Sequence, residues 1–178
     1  MEGLMRPRLA TCALSLILLG AIVAGAEARE PQSAAPTVSC ERIVLRANSG
    51  AADGFRILLE RVSMPGSAHL ARDAAAVPGR PWRYYRNAGI AIRAGTSSVT
   101  VSVPEGWRDR VALSWGGSRP SSSVRFASCP RSAAGIWNSF SGGFHLRGRA
   151  DCVPLLVTVG GMSTTARVGV GRACGAAH

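Results

Sequence analysis

The chain has no lysine. All 21 of its basic residues are arginine, set against 10 acids, and the net charge is +11. That excess has two readings. One is a surface for polyanions: nucleic acid, acidic polysaccharide or anionic lipid head groups. The other is a coding bias that writes arginine wherever a solubilising cation is needed. The arginines are spread along the chain rather than blocked together, which favours the bias and argues against a specific nucleic-acid partner.

The signatures of catalysis and of metal binding are also missing. No C-x-x-C occurs, so the usual zinc spacing is absent. There is no H-E-x-x-H, Walker A or dinucleotide fingerprint, and no calcium loop. No N-x-[ST] sequon is present. Ser114, in ALSWG, lacks the first glycine of a G-x-S-x-G elbow. Beyond the N-terminal leader only three histidines remain, His69, His145 and His178. A lone histidine is more often a packing or surface residue than a base. The acids Glu41, Asp53, Glu60, Asp73, Glu105, Asp109 and Asp151 are scattered, and a glycosidase-type carboxylate pair is not legible in a sequence. No cofactor and no metal are implied. After the leader, no apolar run is long enough to cross a membrane.

What is present begins with that leader. Arg6 and Arg8 precede an apolar run at 13–22, and Ala26-Glu27-Ala28 is an A-x-A cleavage pattern. Residues 1–28 therefore read as a secretory signal peptide, with an uncleaved anchor as the alternative. Cleavage leaves 150 residues, enough for one domain with a real core. Cys12 departs with the leader. Cys40, Cys129, Cys152 and Cys174 remain, an even count that implies two disulfides in an exported chain. Of the three possible connectivities we expect Cys152–Cys174 and Cys40–Cys129.

The remainder reads as strands and turns. Residues 29–39 hold two prolines and little to bury, and form a flexible lead-in. Strands are expected at 40–45 and 55–63, with a turn at 48–54. Residues 68–76 (AHLARDAAA) have the composition of a short helix. Ile90 and Ile92 alternate, as do Val99, Val101 and Val103, and a turn at 94–97 would pair them as a hairpin. The same test pairs Trp115 with Val124 and Leu113 with Phe126. Residues 153–159 and 166–170 flank Gly160-Gly161 as a third hairpin, closed at its open end by Cys152 and Cys174. Its best register pairs Val159 with Val168. A direct disulfide there requires a bulge near Pro154 or Gly171. The fold class is all-β: one antiparallel β-sandwich over 40–178, immunoglobulin-like or Greek-key, with about nine strands.

Two stretches carry candidate function. Arg80, Trp82, Arg83, Tyr84, Tyr85 and Arg86 crowd three rings and three guanidinium groups into seven residues. Such a patch suits sugars, phosphates or single strands. Its bland alternative is a strand whose rings face the core and whose arginines face out. Residues 137–144 (WNSFSGGF) are either an exposed aromatic platform or a loop packed under the sandwich edge; packing is favoured.

The segments PWRYYRNAGIAIRAGTSSVTVSVPEGW, WNSFSGGF, CVPLLVTVGG and RVGVGRAC together resemble an uncharacterised family of small secreted, β-rich actinobacterial proteins. The likeness runs roughly from Cys40 to Cys174. It implies no activity, cofactor or catalytic residue. Three functional readings therefore stand. The first is a non-enzymatic envelope or extracellular module binding an anionic polymer or an envelope protein. The second is a small secreted hydrolase built on His69 or His145. The third is a purely structural accessory domain.

Overall fold

Period-2 alternation runs through most of the chain from Tyr84 to Val170, and the backbone there is almost continuously extended. The computed structural model describes residues 34–50, 52–66, 70, 74–79, 81–130 and 135–175. Among these, no α-helix is present. The early strands are β1 (Thr37–Val38), β2 (Leu45–Ala47), β3 (Phe55–Leu58), β4 (Val62–Pro65), β5 (Ala75–Ala76), β6 (Tyr84–Asn87) and β7 (Ile90–Arg93). The later ones are β8 (Val99–Ser102), β9 (Val111–Trp115), β10 (Ser123–Phe126), β11 (Trp137–Phe140), β12 (Gly142–Leu146), β13 (Asp151–Val159) and β14 (Met162–Val170). Single 3-10 turns occur at Cys40–Arg42 and Glu105–Trp107.

Three sheets result, ordered β1-β10-β8-β13-β14, β2-β11-β7-β4-β3 and β5-β6-β12-β9. All strand pairings are antiparallel except β1 with β10. Side chains from all three sheets merge into one apolar core. A chain of rings runs through its centre. Phe126 of the first sheet lies 5.1 Å from Phe140 of the second and 6.0 Å from Trp115 of the third, and Trp115 meets Phe144 edge-on at 5.8 Å.

The second and third sheets share a bent ribbon. Only Ala88 and Gly89 separate β6 from β7, and only Ser141 separates β11 from β12. The register is unbroken across the gap: paired residue numbers sum to 230 from Tyr84–Leu146 through Arg93–Trp137. The bend is held at Gly142, whose φ of 154° favours glycine, and by the Trp115 indole N–H, which donates to the Ala88 carbonyl at 2.8 Å.

Several expectations are corrected. Both central hairpins fail. Ile90, Ile92, Val99 and Val101 are buried as alternation predicts, but β7 and β8 lie in different sheets. Likewise β9 pairs with β12, and β10 pairs with β8 and β1. A connection that crosses between sheets buries both runs as well as a hairpin does, so alternation reports the face and not the partner. The strand expected at 55–63 is itself a hairpin. Leu59 and Glu60 take left-handed φ values of 48° and 56°, and Arg61 N–H closes the turn onto Leu58 C=O. No glycine or asparagine marks it. The strand expected at 40–45 is a 3-10 turn followed by β2. Ala75 and Ala76 of the expected helix are strand; residues 68, 69 and 71–73 lie outside the described residues. From Ala34 on, the lead-in is not free of the fold, because Val38 is buried and β1 joins a sheet. Among the described residues fourteen strands are present, against the nine expected.

The third hairpin forms with a two-residue turn, Gly160-Gly161, at φ 55° and 87°. Its register pairs Val159 with Met162, not Val168. The slip is six residues, an even number, so Val153, Leu155, Val157 and Val168 still face inward. Both expected disulfides are formed. No bulge is needed for Cys152–Cys174, because the chain turns at Gly171 beyond the end of β14.

Candidate functional site

The third sheet presents a polar line on one face. Ala112 and Ser114 of β9, His145 of β12 and Tyr85 of β6 share it by register. Each of the two polar residues interrupts an apolar strand, Ser114 in VALSW and His145 in GGFHL. Gly143 lies directly opposite Ser114, so the side chain that meets the serine is the diagonal neighbour, His145. The distance from Ser114 Oγ to His145 Nε2 is 2.8 Å. Tyr85 lies directly opposite His145, its ring tilted 49° with centroids 4.8 Å apart. Burial pushes the imidazole below its usual pKa and the Tyr85 phenol above its own. The imidazole is therefore neutral near pH 7, and in the tautomer that carries its proton on Nδ1 it accepts a hydrogen bond from the Ser114 hydroxyl at Nε2. Among the described residues, no carboxylate forms a hydrogen bond or ion pair with it. His69, the other candidate base, lies outside the described residues.

These three side chains line a cavity of about 550 Å³, with Trp82, Ser118 and Pro120 on its walls. Val77 and Gly79 close one side and also line a neighbouring cavity of about 830 Å³. That second cleft is walled by Arg83, Tyr84 and Arg147. The strap is tied down by backbone bonds: Val77 N–H donates to Arg83 C=O, and Arg83 N–H to Leu146 C=O.

The candidate patch is thus divided between two clefts. Trp82 and Tyr85 enter the first; Arg83 and Tyr84 enter the second. Arg86 lines neither. It stands opposite the buried Phe144, and its Nε is buried without a hydrogen-bond partner. Arg80 lies outside the described residues. The rings are half-buried, not sunk in the core, and Tyr84 and Arg86 share a face, so a clean division into rings inward and arginines outward does not hold. The other candidate stretch is packed. Trp137, Phe140 and Phe144 are 6%, 1% and 0% exposed, which removes the aromatic platform.

Acids contribute little to either cleft. Asp151 is buried and accepts from Arg110 at 2.6 Å and from its neighbour's backbone, Cys152 N–H, at 3.0 Å. Arg110 in turn covers the Trp107 ring at 4.2 Å. This is a clamp at the start of β13. The other described acids are exposed, and none lines either cleft. Among the described residues, no group of three or more His, Cys, Asp or Glu side chains is placed to hold a metal ion. No described helix is long and apolar enough to cross a membrane.

No protein-family model matches the chain, and no curated protein matches it significantly.

Proposed function

We propose that the protein is an exported binding module that holds an anionic polymer, an acidic polysaccharide, across the two clefts. The observation that carries this reading is the shared wall of Val77 and Gly79. On one side of it stand Trp82 and Tyr85, rings on which a sugar face stacks. On the other stand Arg83 and Arg147, which have no ion-pair partner among the described residues and suit a carboxylate or sulfate. A chain of sugars crossing the strap meets both. Export is supported by the leader pattern at 1–28 and by two disulfides, which persist in oxidising compartments. We read the fold as a β-sandwich of Greek-key or immunoglobulin-like character, a reading supported by the single core that the antiparallel strands enclose.

The test is titration of the mature, oxidised protein with a polyuronate, a neutral dextran and single-stranded DNA over a salt series. Saturable binding is expected for the polyuronate alone. Trp82→Ala and the pair Arg83→Ala with Arg147→Ala should each weaken it about tenfold without loss of fold. Equal, weak binding to every polyanion, erased by moderate salt and unmoved by these variants, would mean that +11 is only a diffuse field. Absence of binding would leave a purely structural accessory role.

A further inference from the structure

We propose that Ser114 and His145 are a nucleophile–base pair that cleaves small carboxylic esters entering the aromatic cleft. This goes beyond polymer binding and does not depend on it. The geometry is that of an activated hydroxyl: 2.8 Å from Oγ to Nε2, at the wall of an open cavity. The serine is not committed to the backbone, as hydroxyls in strands and turns often are; its side-chain hydrogen bond goes to the imidazole. The imidazole is neutral, as a general base must be. Among the described residues its ring neighbour is Tyr85, with centroids 4.8 Å apart, and no carboxylate bonds to it. Tyr85 is also the one other titratable side chain among the described residues lining this cavity. Burial keeps its phenol protonated, and so a hydrogen-bond donor to charge developing on a bound carbonyl.

The reaction balances with water as the second reactant. Ser114 Oγ attacks the ester carbonyl as its proton passes to His145 Nε2. The carbon–oxygen bond to the alcohol breaks, and the imidazolium returns the proton to the departing alkoxide. Water, deprotonated by the same nitrogen, then releases the acid and restores the serine. With no carboxylate behind the histidine among the described residues, turnover is expected to be slow, since loss of that group in a serine–histidine–aspartate triad costs about 10⁴-fold. Covalent capture is therefore the sharper measurement.

The mature, oxidised protein is treated with an alkyl fluorophosphonate, which forms an oxygen–phosphorus bond and expels fluoride. Peptide mass mapping is expected to place the adduct on Ser114. Its rate should fall at least tenfold in His145→Ala and His145→Gln, vanish in Ser114→Ala, and persist in Ser163→Ala, an exposed serine of β14. In the unmodified protein the labelling rate should fall with acidification along a titration whose midpoint lies below the ordinary imidazole value of 6.5. Hydrolysis of p-nitrophenyl acetate should follow the same pattern. No adduct, an adduct on another residue, or a rate indifferent to both His145 variants and to pH would overturn the assignment. The mapping and the pH profile use the natural chain, so a variant that misfolds does not blur the result.

Discussion

Trp115 and Gly142 face each other across the β9–β12 ladder with no space between them. A β-carbon at 142 would collide with the Ser114 carbonyl and come within 2.6 Å of the indole Cδ1. This contact sits where the β6–β7 and β11–β12 ribbon bends from one sheet into the next. The same bend places His145, three residues on, beside Ser114. The core and the cleft therefore depend on one corner.

Gly142→Ala should be among the most damaging single-atom changes in the chain. The new methyl meets backbone, which cannot move aside, at a φ that side chains rarely adopt. A loss of about 2–4 kcal/mol is expected. It would appear as a lower urea midpoint with an unchanged slope. A near-normal midpoint would mean that the corner is soft.

Trp115→Phe tests the other half of the corner. The ring packing against Phe126 and Phe144 is largely kept, but the indole N–H that binds the Ala88 carbonyl is lost. Both groups are buried, and a destabilisation of about 1–3 kcal/mol follows from the unpaired carbonyl. The same urea titration measures it, and Trp115→Leu, which also removes the ring, should cost more.

The two disulfides should contribute unequally. Cys40–Cys129 closes 89 residues and Cys152–Cys174 closes 22. Loop-closure entropy gives about 4.6 kcal/mol for the first and about 3.4 for the second. Paired serine substitutions, compared by denaturation under oxidising conditions, should show the larger loss for Cys40 with Cys129. That bridge also fastens the end of β1, a two-residue edge strand, to the chain leaving β10.

Which residues face the core is legible in the sequence, because the pleat writes a period of two. Ile90, Ile92, Val99, Val101 and Val103 are all buried as alternation requires. Which strands pair is not legible, because inward faces look alike whether a connection folds back or crosses to another sheet. That Cys40, Cys129, Cys152 and Cys174 form two disulfides is legible, though the pairing is one of three that four cysteines allow, and the Gly160-Gly161 turn announces itself. The Leu58–Arg61 turn does not, because ordinary residues occupy its left-handed positions. From the dense run of rings and arginines at 80–86, Trp82, Arg83, Tyr84 and Tyr85 line the clefts. Its division in two, and the meeting of Ser114 with His145, depend on a ladder between residues 31 apart. One signal for that meeting exists: a single polar residue interrupting each of two apolar strands.

Acid sensitivity should trace to His145 and alkaline sensitivity to Tyr85. Burial holds the imidazole below its usual 6.5. Between the depressed value and 6.5, the unfolded chain binds a proton that the folded chain refuses. The stability this group supports is therefore complete above pH 6.5 and is lost as pH falls through the folded value. Tyr85 runs oppositely. Its phenol is raised above 10, so its share is complete below pH 10 and is lost as pH rises through the folded value. Urea midpoints from about pH 8 down to pH 5, a range above most carboxylate titration, isolate the histidine. The fall across that range should be shallower in His145→Gln than in the natural protein. Tyr85→Phe should leave the acid limb largely intact and flatten the alkaline one. Superimposable acid limbs with and without His145 would mean that the imidazole is as solvated folded as unfolded, and the cleft would then lack the dry wall that a neutral base at Ser114 requires.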